Sequence, residues 1–509
     1  MKKVLAFLVF IVVVAYFGVT FYASKKVDDF FSKDSGIIFD KFGVTLKVTN
    51  STKGFFSSTY ESELVVFAYN EAITVAKLSH EAKFGIRGFN YKKIGNIKTN
   101  VLLDPKVYKK LTEMEDISLI KENFTINSEL GFDGVLTKKA LKAGNYVNED
   151  TNINATWKDI NSDFFISYDQ LNMKFNTNLP QLLIKDMSEK SSYELKIENM
   201  SYAFDTIDIN NFWHINSNFL FDNFSIKEDN SEVLEILKFA TTSKTSAQNK
   251  ELFSLITTIN ADSFKITNQE KSTSYLANNI NYKETVGNID FENTKEIFNS
   301  LSDVYFGMGN TQMGLMAITL PGNFLNILKN KPIYSIDDFS FVFEGEKQNF
   351  KGFIQFVGDT KKLAKMQDFS KIFDGGFRVD ISENIFDKLL YQAAKDEFER
   401  ENRRIYSIWE LSDTELKPYL KRFDVKELYE FNDDEQDIII SEHNSKIIEI
   451  DENGENEEIL KIAQTKKDKL KEFGIESKDK RVNAVFEYKT GDMILNNKPI
   501  TKEESLTLF

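Results

Sequence analysis

The clearest pattern of hydrophobic and polar positions lies at the amino end of the chain. Residues Val4–Ala23 form an apolar-dominated run, with Lys2 and Lys3 before it and Lys25 and Lys26 after it. A run of about 20 apolar residues is the length needed to cross a hydrocarbon core of about 30 Å. The sequence therefore predicts a membrane anchor over residues 1–26, which contacts a bacterial inner membrane through residues 4–23.

Two alternatives to an uncleaved anchor stay open. A cleaved signal peptide shares the basic start, but its apolar centre is usually about 7–15 residues long and small residues precede its cleavage site. Cleavage after Ala23 or Ser24 would place Phe21 or Tyr22 at the −3 position. The other alternative is a buried helix of a water-soluble protein. With an anchor, the positive-inside rule leans towards a cytoplasmic amino terminus. This orientation predicts a single-pass protein whose body lies in the periplasm.

Beyond the anchor, apolar and polar residues alternate in many short runs. Residues Val44–Val48 have this period of two, which indicates a half-buried strand. Clusters of Asn, Asp, Ser and Gly separate many of the runs, an arrangement typical of antiparallel sheet. Similar runs occur at Thr59–Phe67, Phe124–Leu130, Asp163–Tyr168, Leu171–Phe175, Tyr193–Ile197, Phe219–Ile226, Phe264–Ile266 and Gly376–Ile381, and within Pro332–Phe356 at Phe339–Phe343 and Gly352–Phe356, on either side of a turn at residues 344–346.

Helical spacing interrupts these strands. It predicts helices at Lys106–Glu115, Ser231–Ala240, Asn249–Ile259, Asn293–Met308, about Glu383–Tyr406, after the capping box Ser412–Glu415, and at about Glu457–Phe473. Residues Ile438–Ile440 and Lys446–Ile450 are consistent with a hairpin. The predicted fold class is α+β: one N-terminal transmembrane helix, then a large, mainly antiparallel β-sheet body with interspersed helices and a more helical C-terminal third.

The same patterns suggest three regions. The anchor over residues 1–26 is followed by a strand-rich periplasmic region over 27–310. A mixed α/β region covers 311–509, with an acidic insertion at 424–458 and a terminal hairpin at 482–497.

Composition narrows the chemistry. The 509 residues carry a net charge of −14, which disfavours nucleic acid as a partner because binding it requires a basic surface. The chain has no cysteine, so disulfides, thiolate metal sites and cysteine nucleophiles are excluded. The 46 Phe and 19 Tyr residues can supply a large core.

The candidate sites each have an ordinary structural interpretation. His80 begins a zincin-like segment, but Phe84 stands where the second ligand is required. His214 follows Trp213 and is expected to be a packed histidine; His443 is the third histidine. In the acidic segment Asp451–Glu458 the glycine is at position four, whereas an EF-hand loop needs it at position six. We therefore assign no catalytic, cofactor-binding or metal-binding residue and expect no cofactor and no enzymatic activity.

Several segments in order along the chain carry a family resemblance. They are Lys53–Ser58, Phe124–Gly134, Lys331–Ile336, Gly376–Ile381 and Phe486–Asn497. Together with the apolar start, they resemble the YdgA-like family of bacterial envelope proteins, which is defined by a domain of unknown function. Two departures are the segment Ser79–Ala82, where a His-Gly-Pro turn is expected, and the longer acidic region 424–458. The resemblance implies a strand-rich envelope protein and brings no catalytic residues.

Three functions follow as hypotheses. The first is a non-enzymatic binding or scaffold protein in envelope maintenance, with envelope proteins or lipid as partners. The second is a lipid-handling protein, which would require a continuous, solvent-connected apolar groove. The third and weakest is a hydrolase with an unrecognised site, which would require a cluster of perturbed carboxylates in a deep pocket.

Overall fold

The fold is described from a computed structural model of the chain. It describes residues 2–32, 44–68, 71–85, 93–104, 123–148, 152–169, 172–187, 192–206, 215–229, 231–249, 251–268, 273–297, 321–359, 369–401, 407–411, 413–423, 425–444, 457–501 and 504. The chain divides into two compact units. The first contains residues 1–346 and 350–375, and the second contains 347–349 and 376–509.

The first unit is built mainly from long strands. Among its described residues, a long helix, α1, covers Lys2–Ser32, and two short helices cover residues 291–297 (α2) and 321–329 (α3). The strands are β1 (Val44–Thr52), β2 (Ser57–Ala68), β3 (Glu71–Phe84), β4 (Gly95–Leu103), β5 (Asn123–Leu130), β6 (Gly134–Leu141), β7 (Gly144–Asn148), β8 (Ile153–Trp157), β9 (Ile160–Ser167), β10 (Met173–Met187), β11 (Ser192–Thr206), β12 (Ile215–Glu228), β13 (Ser231–Ala247), β14 (Leu252–Asn268), β15 (Thr273–Asp290), β16 (Ile333–Phe343) and β17 (Glu346–Phe356).

These strands form one antiparallel sheet in which most neighbours in the sheet are neighbours in the chain. Strands β1 to β6 pair in order, β6 then pairs with β9, and β9 to β16 pair in order. The hairpin β7–β8 joins β10 further along the same edge that β9 uses. Because antiparallel strands need only short connections, this order follows from the alternating runs and turn clusters of the sequence.

Helix α1 packs on one face of this sheet through a narrow stripe. Thr20, Ala23, Val27, Phe30 and Phe31 are all buried, and their spacing of three or four residues keeps them on one side of the helix. They meet buried residues of β2 to β6 and β9, among them Tyr60, Ala82, Ile97, Leu130, Val135 and Ile166. The second half of α1 therefore belongs to the core of the first unit.

The second unit mixes helices with short strands. It contains α4 (Glu383–Glu401), α5 (Asp413–Phe423), α6 (Asp433–Asn444) and α7 (Glu457–Glu472), most of β18 (Phe373–Ser382), and β19 (Ser477–Lys478), β20 (Arg481–Lys489), β21 (Asp492–Leu495) and β22 (Lys498–Ile500). One cluster packs Ile408, Leu411, Leu416, Tyr419, Phe431 and Ile439. A second joins α4 and α7 through Ala394, Phe398 and Ile459.

The predicted transmembrane helix at residues 4–23 is corrected by the structure. In the part of the chain that the structure describes, no helix is both long enough and apolar enough to cross a membrane. Helix α1 continues to Ser32 through charged residues, and its buried stripe extends past the predicted end of the anchor at residue 26. Val27, Phe30 and Phe31, which follow the predicted anchor, are core residues packed against the sheet.

The predicted helical C-terminal third is also corrected, since strands β16 to β22 lie in this part of the chain and the described residues as a whole are mostly antiparallel sheet. Within the body, the helices predicted at Ser231–Ala240 and Asn249–Ile259 are wrong, because these residues belong mainly to β13 and β14. Residues Ile438–Ile440 lie in α6 rather than in a hairpin. The helix predicted at Lys106–Glu115 lies outside the described residues.

Candidate functional site

One face of the sheet carries a continuous row of aromatic side chains. The pairing places Phe164 opposite Phe175, and Phe175 opposite Phe204. Residues that lie opposite each other in an antiparallel pair share a face, so the row can be followed from strand to strand. It continues through Tyr202 and Phe219 on neighbouring strands and, further along, through Tyr282 and Phe339.

Ring contacts confirm that these side chains meet. The ring centroids are 5.9 Å apart for Phe175 and Phe204, 5.0 Å for Phe221 and Phe239, and 5.8 Å for Tyr282 and Phe339. Such separations are typical of favourable aromatic pairs. We call this surface the aromatic face; it consists of Phe164, Phe175, Tyr202, Phe204, Phe219, Phe221, Phe239, Ile259, Tyr282, Phe339, Phe341 and Phe350.

The opposite side of the same strands is mostly polar. Thr242 and Thr258 are hydrogen-bonded across β13 and β14 on that side. The residues that alternate with the aromatic ones include Lys174, Asn176, Asn218, Lys244, Asn260, Asn281 and Lys283. The sheet is therefore amphipathic, with one polar face and one apolar face.

A row of exposed polar residues crosses the sheet at one level. Asn199, Lys238 and Asn279 lie on β11, β13 and β15, and each has a positive φ, between 48° and 52°. Asp222 and Asp262 lie between them on β12 and β14. The Asn199 amide donates to Asp222 over 2.7 Å, and Lys238 Nζ lies 2.7 Å from Asp262 Oδ2. We call these five residues the crease.

The crease interrupts the alternation of every strand it crosses. Phe221 and Phe224 are three residues apart on β12, a spacing that places side chains on opposite faces of a regular strand. Their ring centroids are nevertheless only 6.0 Å apart, so both lie on the same face. The alternation is therefore reset at the crease, where β11, β13 and β15 have left-handed backbone at Asn199, Lys238 and Asn279, and apolar side chains stay on one side.

Beyond the crease, the apolar face continues with mostly aliphatic side chains. The register places Leu195 opposite Ile226, and Ile226 opposite Leu234. We call this surface the aliphatic face; it consists of Leu195, Ile197, Phe224, Ile226, Leu234, Ile236, Phe264, Ile266, Tyr275 and Ala277. The outer strands leave it open, since Ile266 is 43% exposed and Tyr275 is 58% exposed.

The aromatic face is only partly covered. Of its members, Phe221 alone is buried, with 8% of its surface exposed, and the others are half-buried. Among the described residues, β10 to β15 pack chiefly against their neighbours within the sheet and not against a second layer. Contiguous apolar surfaces that stay partly exposed are typical of binding sites.

At the other end of the sheet, beneath α1, the same face carries a chain of hydrogen bonds. His80 lies between Ser62 and Thr99, at 2.8 Å from each hydroxyl, and Ser128 lies 2.7 Å from the Thr137 hydroxyl. The Phe31 ring covers His80, with centroids 4.8 Å apart. Burial favours the neutral imidazole and lowers the pKa of His80 to about 4.

A cavity of about 210 Å³ lies on this hydrogen-bonded row. Its lining combines Phe30 and Phe31 of α1 with sheet residues that include Val135, Phe164 and Ile166. A larger cavity of about 720 Å³ lies beside it and has charged lining residues of both signs, Asp28, Lys47, Lys53 and Glu63. Only the smaller of these two cavities includes a member of the aromatic face.

The structure places His80 and His443, two of the candidate residues from the sequence, in regular secondary structure. His80 is a buried core residue on β3 and not a helical zinc ligand. His443 lies in α6, whereas His214 and residues 451–456 lie outside the described residues. Among the described residues, no group of three His, Cys, Asp or Glu side chains is placed to hold a metal ion. The aromatic face was missed because its members are spread over nine strands.

One family model matches nearly the whole chain. Residues 1–503 match the model described as a bacterial protein of unknown function, DUF945. The chain belongs to the DUF945 family. No curated protein and no solved structure matches it. Membership agrees with the resemblance to a bacterial family that is defined by a domain of unknown function.

Proposed function

We propose that this DUF945 protein is a non-enzymatic binding protein that shields lipid acyl chains on its apolar sheet face. The observation that carries the proposal is the continuity of the aromatic and aliphatic faces across the crease. Together they offer a partly exposed apolar surface on strands of up to 18 residues. At about 3.3 Å per residue, such strands are longer than an extended acyl chain.

The chemistry of the surface favours an apolar ligand over a polar one. Phe219, Phe239 and Ile259 present carbon atoms only, and the charged groups of the crease are paired with one another. Burying an acyl chain here is favourable by about 0.8 kcal/mol for each methylene group removed from water. Ring faces and aliphatic side chains bind such chains without directional contacts, so one surface can accept several lipids.

The location in the cell envelope is part of the proposal. It is supported by the resemblance of the ordered segments of the chain to YdgA-like envelope proteins. A role in envelope maintenance, with the body facing the periplasm, fits a protein that keeps acyl chains from water. Digestion by protease added to spheroplasts tests this location; full protection of the body would contradict it.

Native mass spectrometry of the full-length chain, followed by lipid extraction, tests the binding role. We expect stoichiometric co-purifying lipid. A purified chain that carries no lipid and takes up none from phospholipid vesicles would overturn the proposal. A stoichiometric protein in place of the lipid would support the scaffold function instead.

Strand β14 offers a matched pair of variants for this experiment. Ile259 lies opposite Thr241 and Tyr282 on the aromatic face, whereas Ile256 lies opposite Lys244 and Thr285 on the polar face. Both side chains are half-buried. We expect Ile259→Asn to lower lipid occupancy severalfold and Ile256→Asn to leave it unchanged. Equal loss in both variants would indicate a general effect on folding.

A further inference from the structure

The cavity beneath α1 lies where the aromatic face meets the covered end of the sheet. Phe164 lines this cavity and is also the first member of the aromatic face. Its neighbour across the strand pair is Phe175, the next member of that face. The cavity and the open face are therefore consecutive parts of one apolar surface.

The polar groups in the cavity floor are already satisfied. His80 uses both ring nitrogens for Ser62 and Thr99, and the hydroxyls of Ser128 and Thr137 bond to each other. A floor whose polar atoms are paired within the protein has little need of a polar ligand. The remaining lining is mostly aliphatic and aromatic, so an apolar group suits the cavity better than water does.

The size of the cavity limits what enters. Its volume of about 210 Å³ equals about seven water molecules at about 30 Å³ each. This space accepts a short run of methylene groups and no complete lipid. The helix side chains Phe30 and Phe31 form one wall of the cavity, opposite the sheet.

We infer that the cavity receives the methyl end of an acyl chain whose remaining length lies on the aromatic face. This inference rests on the proposed function and adds to it a chain-length preference. Long chains reach the cavity and fill it, whereas short chains bind the open face alone.

Strand β6 provides the variant and its control. Val135 lines the cavity and is buried, whereas Leu136, the next residue, lies on the opposite face of the sheet. Val135→Phe reduces the space in the cavity, and Leu136→Phe adds a ring elsewhere on the same strand. A second filling variant, Leu46→Phe, approaches the cavity from β1, where the side chain is half-buried and has room to change.

The experiment titrates the full-length, lipid-stripped chain with hexadecanoate and with decanoate. We expect both filling variants to lower the affinity for hexadecanoate about tenfold, the loss that follows when two methylene groups leave the cavity. Their affinity for decanoate should match that of the unmodified chain, and Leu136→Phe should change neither affinity. Thermal melting curves confirm that each variant is folded.

The outcomes separate this inference from the proposed function. If the unmodified chain binds neither fatty acid, the proposed function is wrong. If it binds both and the filling variants bind hexadecanoate as tightly as before, the chain end lies elsewhere and only the inference is overturned. Equal weakening for both fatty acids would also overturn it, because the cavity would then not distinguish chain length.

Discussion

The two ends of the large sheet carry the same kind of apolar face in different surroundings. Over β2 to β6, α1 covers the face, and Tyr60, Ala82 and Leu130 are almost completely buried. Over β10 to β15, members such as Phe175 and Phe239 are only half-buried, and Tyr275 is mostly exposed. The strands and their alternation are alike, so the covering helix decides which end is a core and which end stays partly exposed.

Disrupting the packing of α1 on the sheet is expected to have the largest effect on the free energy of unfolding. Val27 is fully buried against the sheet, and Val27→Asp would place a carboxylate there without a partner. Such a change costs more than about 4 kcal/mol of unfolding free energy. Urea denaturation measures the loss, and added binding of a hydrophobic dye would show that the covered end has become an open face.

The control lies on the same helix. Phe21 is 59% exposed, so Phe21→Asp should change the unfolding free energy by less than about 1 kcal/mol. If the two variants were equally stable, α1 would not be part of the core.

Truncating one phenylalanine at each end tests the comparison directly. Phe31 is buried, and its ring stacks on Tyr60 with centroids 4.3 Å apart. Phe31→Ala should cost about 3–5 kcal/mol, the usual range for a buried phenylalanine. Phe341→Ala, on the half-buried aromatic face, should cost about 1–2 kcal/mol because less apolar area is lost. Equal costs by urea denaturation would mean that both ends are cores.

The covered end should also respond to pH through His80. Burial lowers the pKa of His80 from 6.5 to about 4, so between these values the unfolded chain binds a proton that the folded chain does not. Stability therefore falls as the pH drops from 6.5 towards 4, by about 3 kcal/mol from this residue. Urea denaturation at several pH values measures the slope. His80→Gln should remove this part of the pH dependence, and an unchanged slope would show that His80 is accessible to protons.

The smallest expected effect concerns the crease. Asn279 has a φ of 52°, which a β-branched residue adopts with strain. Asn279→Val should therefore cost about 1–2 kcal/mol, whereas Asn279→Gly should be nearly neutral. Asn281→Val, two residues away on β15, is the control. A melting temperature that is the same for Asn279→Val and Asn281→Val would contradict the strained geometry.

Much of the strand content could be predicted from alternation alone. Val44–Val48, Phe124–Leu130 and Phe339–Phe343 lie in strands as expected. The helices at Glu383–Glu401 and Glu457–Glu472 were also predicted correctly. These segments carry a single period over their length, and that period reports directly on which side is buried.

The prediction of strands failed where the spacing of apolar residues changes within one strand. In β13 the apolar residues Leu234, Ile236 and Phe239 have spacings of two and then three, because Lys238 lies in the crease. A step of three inside a period of two imitates the spacing of a helix, and so a strand was predicted as one. The left-handed backbone that explains the step is not visible in the sequence.

The prediction for the start of the chain failed for a different reason. The stripe of Thr20, Ala23, Val27 and Phe31 was present in the sequence, and its spacing could have indicated packing against a sheet. We predicted a membrane anchor instead, because the stripe overlaps a longer apolar run. Such runs occur both in membrane helices and in protein cores.

By itself, the sequence determined many of the local elements, the amphipathic character of the strands and membership of a bacterial family. Tertiary structure alone decided which apolar residues form one surface, because the aromatic face joins side chains from β9 to β17 that are far apart in the chain. It also decided which part of that surface is covered, since α1 shields one end of the sheet and leaves the other partly exposed. Local periodicity specifies that a face is apolar, whereas only the packing of distant segments specifies what lies against it.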